Sequence, residues 1–355
     1  MGELVLTLKR LAAAIAAIIT FLAFAELSLN LLPVQAGLGA ADPVPGWPAH
    51  RLIPGTHYTF SAGWAMDNIQ RGWINNAGYI APFDYRDGAE VGVVIGDSFI
   101  EGYMNPYRDM LQSRLAVHLG LAPSSVYNFG TSGASLPHYL GVARLVGTRY
   151  RAKWAVILIG PDDFIEGFQY TPGYFGWGTP TNPARIIPVQ KKGHLAKLIR
   201  ESALVRYIRG NLKFSSTTLF ASGFPPLTGT CRPPALSRGD RALVSAWLDQ
   251  LPSALRLEPQ QIVLVSNTDL APLHLGGKKP PACPTRDSQA RALLMSEAVA
   301  AGLHVVDIAP LFAQSWAQNH HSLDRAPIDK HWNPHGHEIV AQAVARELGG
   351  TTAPR

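Results

Sequence analysis

Five short apolar runs set the strongest limit on how this chain can fold. They are "VGVVIG" (91–96), "SVYNFG" (125–130), "WAVILIG" (154–160), "QIVLVSN" (261–267) and "HVVDIA" (304–309). Each is six or seven residues long, most are rich in Val and Ile, and most end near Gly, Asn or a polar residue. A strand with one wet face alternates apolar and polar residues. Runs that stay largely apolar read as strands covered on both faces. Between them lie helical segments at 107–119, 136–149, 238–256 and 286–302. In 238–256, Leu243, Val244, Trp247, Leu248 and Leu251 share one face. A last helix starts at Asn333-Pro334, a cap residue followed by proline, and is expected to stop at Gly349-Gly350. This alternation predicts an α/β chain of three layers, α/β/α, around a five-stranded parallel sheet.

The remaining segments set the domain organisation. Residues 1–34 hold Lys9-Arg10 and then "LAAAIAAIITFLAFAELSLNLLPV". Counted through Leu32, this stretch reaches the roughly 20 residues that a bilayer crossing needs. Basic residues ahead of it predict a cytoplasmic N-terminus and an exported body. One reading is an uncleaved single-pass anchor in the inner membrane, with the rest on the periplasmic side. The other is a signal peptide cut after Ala23-Phe24-Ala25, which would leave a second apolar stretch, "LSLNLL", near the new terminus. Residues 35–87 read as a linker and lead-in, Gly/Pro/Ala-rich to 55 and irregular after it. The main domain is expected at 88–350. Within it, about 164–237 shows no strand pattern. It holds the aromatic loop "GFQYTPGYFGWGTPTNP", a basic helix near 193–213 and a Gly/Pro-rich run, and reads as an insertion over the sheet edge.

Composition narrows the partners. The chain is 47% hydrophobic and 16% charged, which excludes a disordered, highly solvated protein. Its net charge is +6, but no basic run is interleaved with aromatics, so no nucleic-acid partner is expected. Cys231 and Cys283 each sit in a Pro-rich loop. In an exported protein such a pair predicts a disulfide, with two unrelated thiols as the alternative. No metal and no cofactor are expected. The cysteines offer too few ligands for zinc. His335 and His337 would stand about 200° apart on a helix, too far round to share one ion easily with His331.

In open parallel sheets the chemistry sits beyond the carboxyl ends of the strands. The residues there are Gly96-Asp97-Ser98, then "GTSGAS" with Gly133, then "GPDD" with Asp162, and finally "PIDKHWNPHGH" with Asp329 and His331. They fit nucleophilic catalysis, in which a serine hydroxyl needs a base and the base needs an orienting acceptor. Ser98 supplies the hydroxyl, His331 the base and Asp329 the acceptor. The backbone N–H groups of Ser98 and Gly133 are the expected oxyanion donors. Tyr170, Tyr174, Phe175 and Trp177 form either a sugar-stacking lid or a local packing cluster.

The set "GDS" 96–98, "NFGTSG" 128–133, "GPDD" 160–163 and "DKHWN" 329–333 resembles the SGNH hydrolases, the GDSL-type esterases and lipases. The resemblance covers about residues 88–348. The lead-in "INNAGYIAPFDYRDGAEVGVVIGDS" is similar to that of membrane-anchored bacterial members. It implies the flavodoxin-like SGNH fold, Ser98 as nucleophile, Asp329 and His331 completing a triad, and Gly133 in the oxyanion hole. Two positions depart from the family pattern. Asp162 stands where an Asn amide usually donates to the oxyanion, and a carboxylate only accepts. The last pair is Asp-x-His rather than Asp-x-x-His, a spacing found in SGNH-like proteins that acetylate or deacetylate bacterial polysaccharides. The expected function is an extracytoplasmic esterase acting on O-acyl, mainly O-acetyl, esters of a glycan or small molecule. The alternatives are an O-acyltransferase working with envelope polysaccharide machinery, and a non-catalytic glycan-binding or assembly protein.

Overall fold

The computed structural model describes residues 2–189, 199–213, 235–270, 284–325 and 329–352. Its strands are β1 (Thr56–Ala62), β2 (Asp67–Ile74), β3 (Glu90–Gly96), β4 (Val126–Gly130), β5 (Arg151–Ile159), β6 (Phe175–Thr179), β7 (Asn182–Ile186), β8 (Ile262–Ser266), β9 (His304–Asp307), β10 (Asp324–Arg325) and β11 (Asp329–Trp332). The five apolar runs supply β3, β4, β5, β8 and β9. These pair in parallel, in the order β4-β3-β5-β8-β9.

Three layers result because successive side chains of each strand point to opposite faces. Val93, Ile95, Ala155, Ile157 and Leu264 pack with the helices Leu136–Arg149, Arg238–Leu255 and Arg286–Ala300. Val94, Val156, Leu158, Val263 and Val265 pack with Leu111–His118, Ala309–Asn319 and Pro334–Thr352. Burying a Val or Ile side chain fully contributes about 1.5–3 kcal/mol, so a strand apolar on both faces is stable only between two helical layers. The glycines of "VGVVIG" have packing reasons. A β-carbon on Gly92 would lie 2.1 Å from the Trp154 ring, and one on Gly96 would lie 2.4 Å from Ile100.

The chain divides into two compact units. The larger comprises 39–57, 72–190 and 227–355 and contains the whole parallel sheet. The smaller comprises 1–38, 58–71 and 191–226. Its helix Gly2–Asn30 has 29 residues and a mean hydropathy of 2.1 over its most apolar 18-residue window, long and apolar enough to cross a membrane. Near the end of this helix, the Glu26 carboxylate accepts hydrogen bonds from Ser202 Oγ (2.7 Å), Ala203 N (2.7 Å) and Leu204 N (2.9 Å).

The structure departs from the sequence reading in several places, the short antiparallel pair β10-β11 among them. The lead-in holds a two-stranded sheet, β1-β2. The aromatic loop holds the antiparallel hairpin β6-β7, which packs on Leu136–Arg149 rather than over the sheet edge. Gly176, Gly178 and Pro183 hide its alternation, since Gly and Pro are poor strand signals. The described part of the basic segment is broken into helical pieces at 199–201, Ala203–Arg206 and Tyr207–Asn211. The run 304–309 ends as a strand at Asp307, and Ala309-Pro310 opens a further helix to Asn319. The last helix continues past Gly349-Gly350 to Thr352, because glycine lowers helix propensity without forbidding the helix. Cys231 and Cys283 lie outside the described residues.

Candidate active site

β3 lies between β4 and β5, so the chain leaves it towards one side and later returns on the other. The carboxyl end of β3 is therefore the switch point, where open parallel sheets keep their ligand crevice. "GDS" follows at once. Asp97 follows the strand and caps a single helical turn, Ser98–Glu101. Its carboxylate accepts Phe99 N–H at 2.9 Å, and its carbonyl accepts from Ile100 and Glu101. Gly102 closes the turn in the left-handed region, with φ 66°. Ser98 thus occupies the first helical position, where the backbone N–H has no partner within its own helix.

Asp329 and His331 lie on β11, two residues apart. Alternate strand residues face the same side, so Asp-x-His brings both side chains together. Ser98 Oγ stands 2.6 Å from His331 Nε2. His331 Nδ1 is hydrogen-bonded to Asp329 Oδ1, which also accepts the His331 backbone N–H at 3.0 Å. Asp329 is 4% exposed, so water competes little for its oxygens. An acceptor at Nδ1 keeps the proton there and leaves the Nε2 lone pair facing Ser98. Just beyond, Asn333 caps the last helix by accepting N–H bonds from His335 (2.9 Å) and Gly336 (3.0 Å).

The second strand end forms a tight turn over the first. Thr131 N–H donates to the Gly96 carbonyl, and Ala134 N–H to that of Thr131, both at 3.0 Å. Gly133, third in this turn, has φ +73°, a conformation that side chains oppose. A β-carbon there would meet nothing within 4 Å, so the backbone angle and not crowding accounts for the glycine. Among the described residues, no acceptor meets the N–H of Gly133 or of Ser98.

The third strand end is acidic. Asp162 is exposed and precedes the short helix Asp163–Glu166 without a side-chain capping bond. No hydrogen bond links its carboxylate to Ser98 or His331 among the described residues. Asp163 is 3% exposed and accepts Gly160 N–H at 2.6 Å. Burial, then the charge of Asp97, push its carboxyl well above the usual range. Burial and the nearby Asp97, Asp162 and Asp287 raise Glu166 to about 7.

Other singled-out residues take separate places. Trp177 is buried and donates Nε1–H to the Phe164 carbonyl at 2.8 Å, while Phe175 packs by His138. Tyr170 is 45% exposed. Only Tyr174 reaches the site loops, donating its hydroxyl to the Ser132 carbonyl at 2.7 Å. The group is mainly a packing cluster. His335 Nε2 faces Ser315 Oγ at 3.0 Å, and His337 Nε2 faces Asn105 at 3.1 Å.

Two residues near the site carry no motif in the sequence. Asn105, 1% exposed, donates Nδ2–H to the Trp332 carbonyl at 2.9 Å and accepts from Arg325 at 2.7 Å. It thereby ties the loop after the Ser98 turn to β11. Glu101 accepts from Ser132, next to Gly133. Both sit among Gly, polar and aromatic residues of the loop after Ser98, where the sequence carries no signal that sets them apart.

The GDSL-like Lipase/Acylhydrolase family matches residues 94–339. None of the curated proteins compared matches the chain. Among solved structures, the chain is similar to LAE5, an alpha/beta hydrolase enzyme from the metagenome of Lake Arreo, Spain. Identity is 16%, covering 76% of this chain and 99% of that one, with a TM-score of 0.41. It is also similar to Axe2, an acetylxylan esterase from Geobacillus stearothermophilus, with 15% identity over 75% of this chain and 97% of that one and a TM-score of 0.40. The family match spans well over half of the chain and runs from within β3 into the last helix, across all four motif blocks. The chain belongs to the GDSL-like lipase/acylhydrolase family of serine esterases.

Proposed function

We propose that this protein is a membrane-anchored, extracytoplasmic ester hydrolase that removes O-acyl groups, chiefly O-acetyl, from a glycan or a small molecule. The observation that carries this reading is the hydrogen-bonded series Ser98–His331–Asp329 at the switch point of the sheet. His331 Nε2 takes the Ser98 proton as Oγ attacks the ester carbonyl. Asp329 holds the ring and stabilises the imidazolium. The N–H groups of Ser98 and Gly133 receive the oxyanion. The alcohol leaves with the proton from His331, and water, activated by the same imidazole, then releases the acyl group from Ser98.

Two observations support the setting. Lys9 and Arg10 lie ahead of the apolar stretch that starts at Leu11, within the helix Gly2–Asn30, a placement that favours an outward-facing body. The helix Gly2–Asn30 is long and apolar enough to cross a membrane, which fits an anchor. The O-acetyl glycan assignment rests on the Asp329-Lys330-His331 spacing.

The test is acetate release from p-nitrophenyl acetate with and without a polysaccharide acceptor. Release that needs Ser98 and ignores the acceptor supports the hydrolase. Release that an acceptor accelerates, with acetyl appearing on the sugar, makes the protein an O-acyltransferase. No release by folded protein from any acetyl ester overturns the proposal.

A further inference from the structure

We propose that Glu101 is a positioning residue that clamps the Ser132–Gly133 turn to the nucleophile's own helical turn, and so fixes the Gly133 amide as an oxyanion donor. This rests on the serine-esterase reading above.

Glu101 lies three residues after Ser98 in the same turn and is 4% exposed. Its Oε2 accepts both the Ser132 N–H, at 3.2 Å, and the Ser132 hydroxyl. Tyr174 donates to the Ser132 carbonyl, so Ser132 is held at all three of its polar groups. The turn has little slack elsewhere. Thr131 N–H is bonded to Gly96, and a β-carbon on Gly130 would lie 2.0 Å from the Glu101 nitrogen. With the Ser132 N–H engaged by Glu101, the next amide, that of exposed Gly133, is left to face substrate.

A buried carboxylate is an expensive way to hold a loop, because desolvation opposes its charge. A link of this kind is useful where placement matters more than stability. Oxyanion donors work only when aimed in advance, and a shift of about 1 Å costs as much as about a hundredfold in rate. The titratable groups facing Glu101 are His331 and Asp97, with Tyr79, Tyr103 and Tyr174. Burial raises Glu101 to about 7, against the Ser132 hydrogen bonds that lower it. Protonation there weakens the acceptor for Ser132, so the clamp itself titrates near neutrality.

The test uses the full chain with Ser98→Ala, Glu101→Gln, Ser132→Ala and the double variant, assayed on p-nitrophenyl acetate. Glu101→Gln is expected to lower kcat about tenfold, with KM within about twofold. Binding of a boronic acid transition-state analogue should weaken by the same factor, and the acid limb of the kcat profile should lose one titrating group. Ser132→Ala, which removes one small donor and does not threaten folding, should lower kcat about threefold. The double variant should lose no more than Glu101→Gln alone, because both act through one link. If folded Glu101→Gln, or Ser132→Ala where the former fails to fold, keeps wild-type kcat and analogue affinity while Ser98→Ala is inactive, the clamp is wrong and the esterase reading stands. If Ser98→Ala retains full activity, the esterase reading fails, and the clamp with it.

Discussion

A β-carbon placed on Gly130 would lie 2.0 Å from the backbone nitrogen of Glu101. The end of β4 and the nucleophile's turn are therefore in backbone contact, and no flexible side chain can move aside. Gly130→Ala should destabilise by about 2–3 kcal/mol, as overpacking of a rigid core does. Urea denaturation measures this, and ester hydrolysis by the fraction still folded should fall with it because Ser98 is displaced. An unchanged urea midpoint would show that the two backbones can separate at little cost.

Asn105 holds β11 through Trp332 and its pairing strand β10 through Arg325. Asn105→Ala leaves a buried carbonyl without its donor and the Arg325 guanidinium without its acceptor. The expected loss is about 2–3 kcal/mol, since each orphaned buried group costs about 1–3 kcal/mol. Activity should fall further than stability alone explains, because β11 carries both Asp329 and His331. A variant with normal kcat at a temperature where it is fully folded would separate Asn105 from the site.

Glu101 gives a stability signature of known sign. Its folded value is raised from 4.5 to about 7, so the folded protein holds this proton more tightly than the unfolded chain. The stability this supplies is fully present below about pH 4.5 and is lost as pH rises through about 7. Glu101→Gln has no such titration. Wild type should therefore weaken relative to the variant by up to about 1.4 kcal/mol per pH unit across that window. His138 and His337, which burial lowers to about 3, act in the opposite direction but are common to both proteins. Urea midpoints from pH 4.5 to 8 test the difference, and a flat difference would contradict it.

Asp162 is exposed and uncapped, so Asp162→Asn should cost little stability. In the family pattern this position carries an Asn amide, so the substitution replaces an acceptor-only carboxylate with the donor that the pattern expects. One preorganised donor contributes about a hundredfold to rate, and partial placement should raise kcat about tenfold. An unchanged kcat on p-nitrophenyl acetate would place Asp162 outside the reaction.

The parallel sheet was legible because β3, β4, β5 and β8 carry apolar runs without helical spacing, as strands buried on both faces do; the edge strand β9, only partly buried, was legible from Val305 and Val306. Ser98, Asp329 and His331, which the sequence singles out, meet in the structure: Ser98 stands just beyond β3, while Asp329 and His331 share one face of the short strand β11. The hairpin β6-β7 was not, because "FGWGT" and "NPARI" mix its strand residues with glycine and proline. Glu101 and Asn105 were hidden for another reason. Their roles lie in hydrogen bonds to residues 31 and 227 positions away, and no local pattern records such a contact.

The central claim is that Ser98 is a nucleophile activated by His331. Treating the folded protein with a fluorophosphonate and mapping the adduct by mass spectrometry tests it directly. A phosphonylated Ser98, no label in Ser98→Ala, and labelling slowed at least about a thousandfold in His331→Ala are expected. A folded wild-type protein that leaves Ser98 unlabelled, or a His331→Ala variant labelled at the wild-type rate, would contradict it.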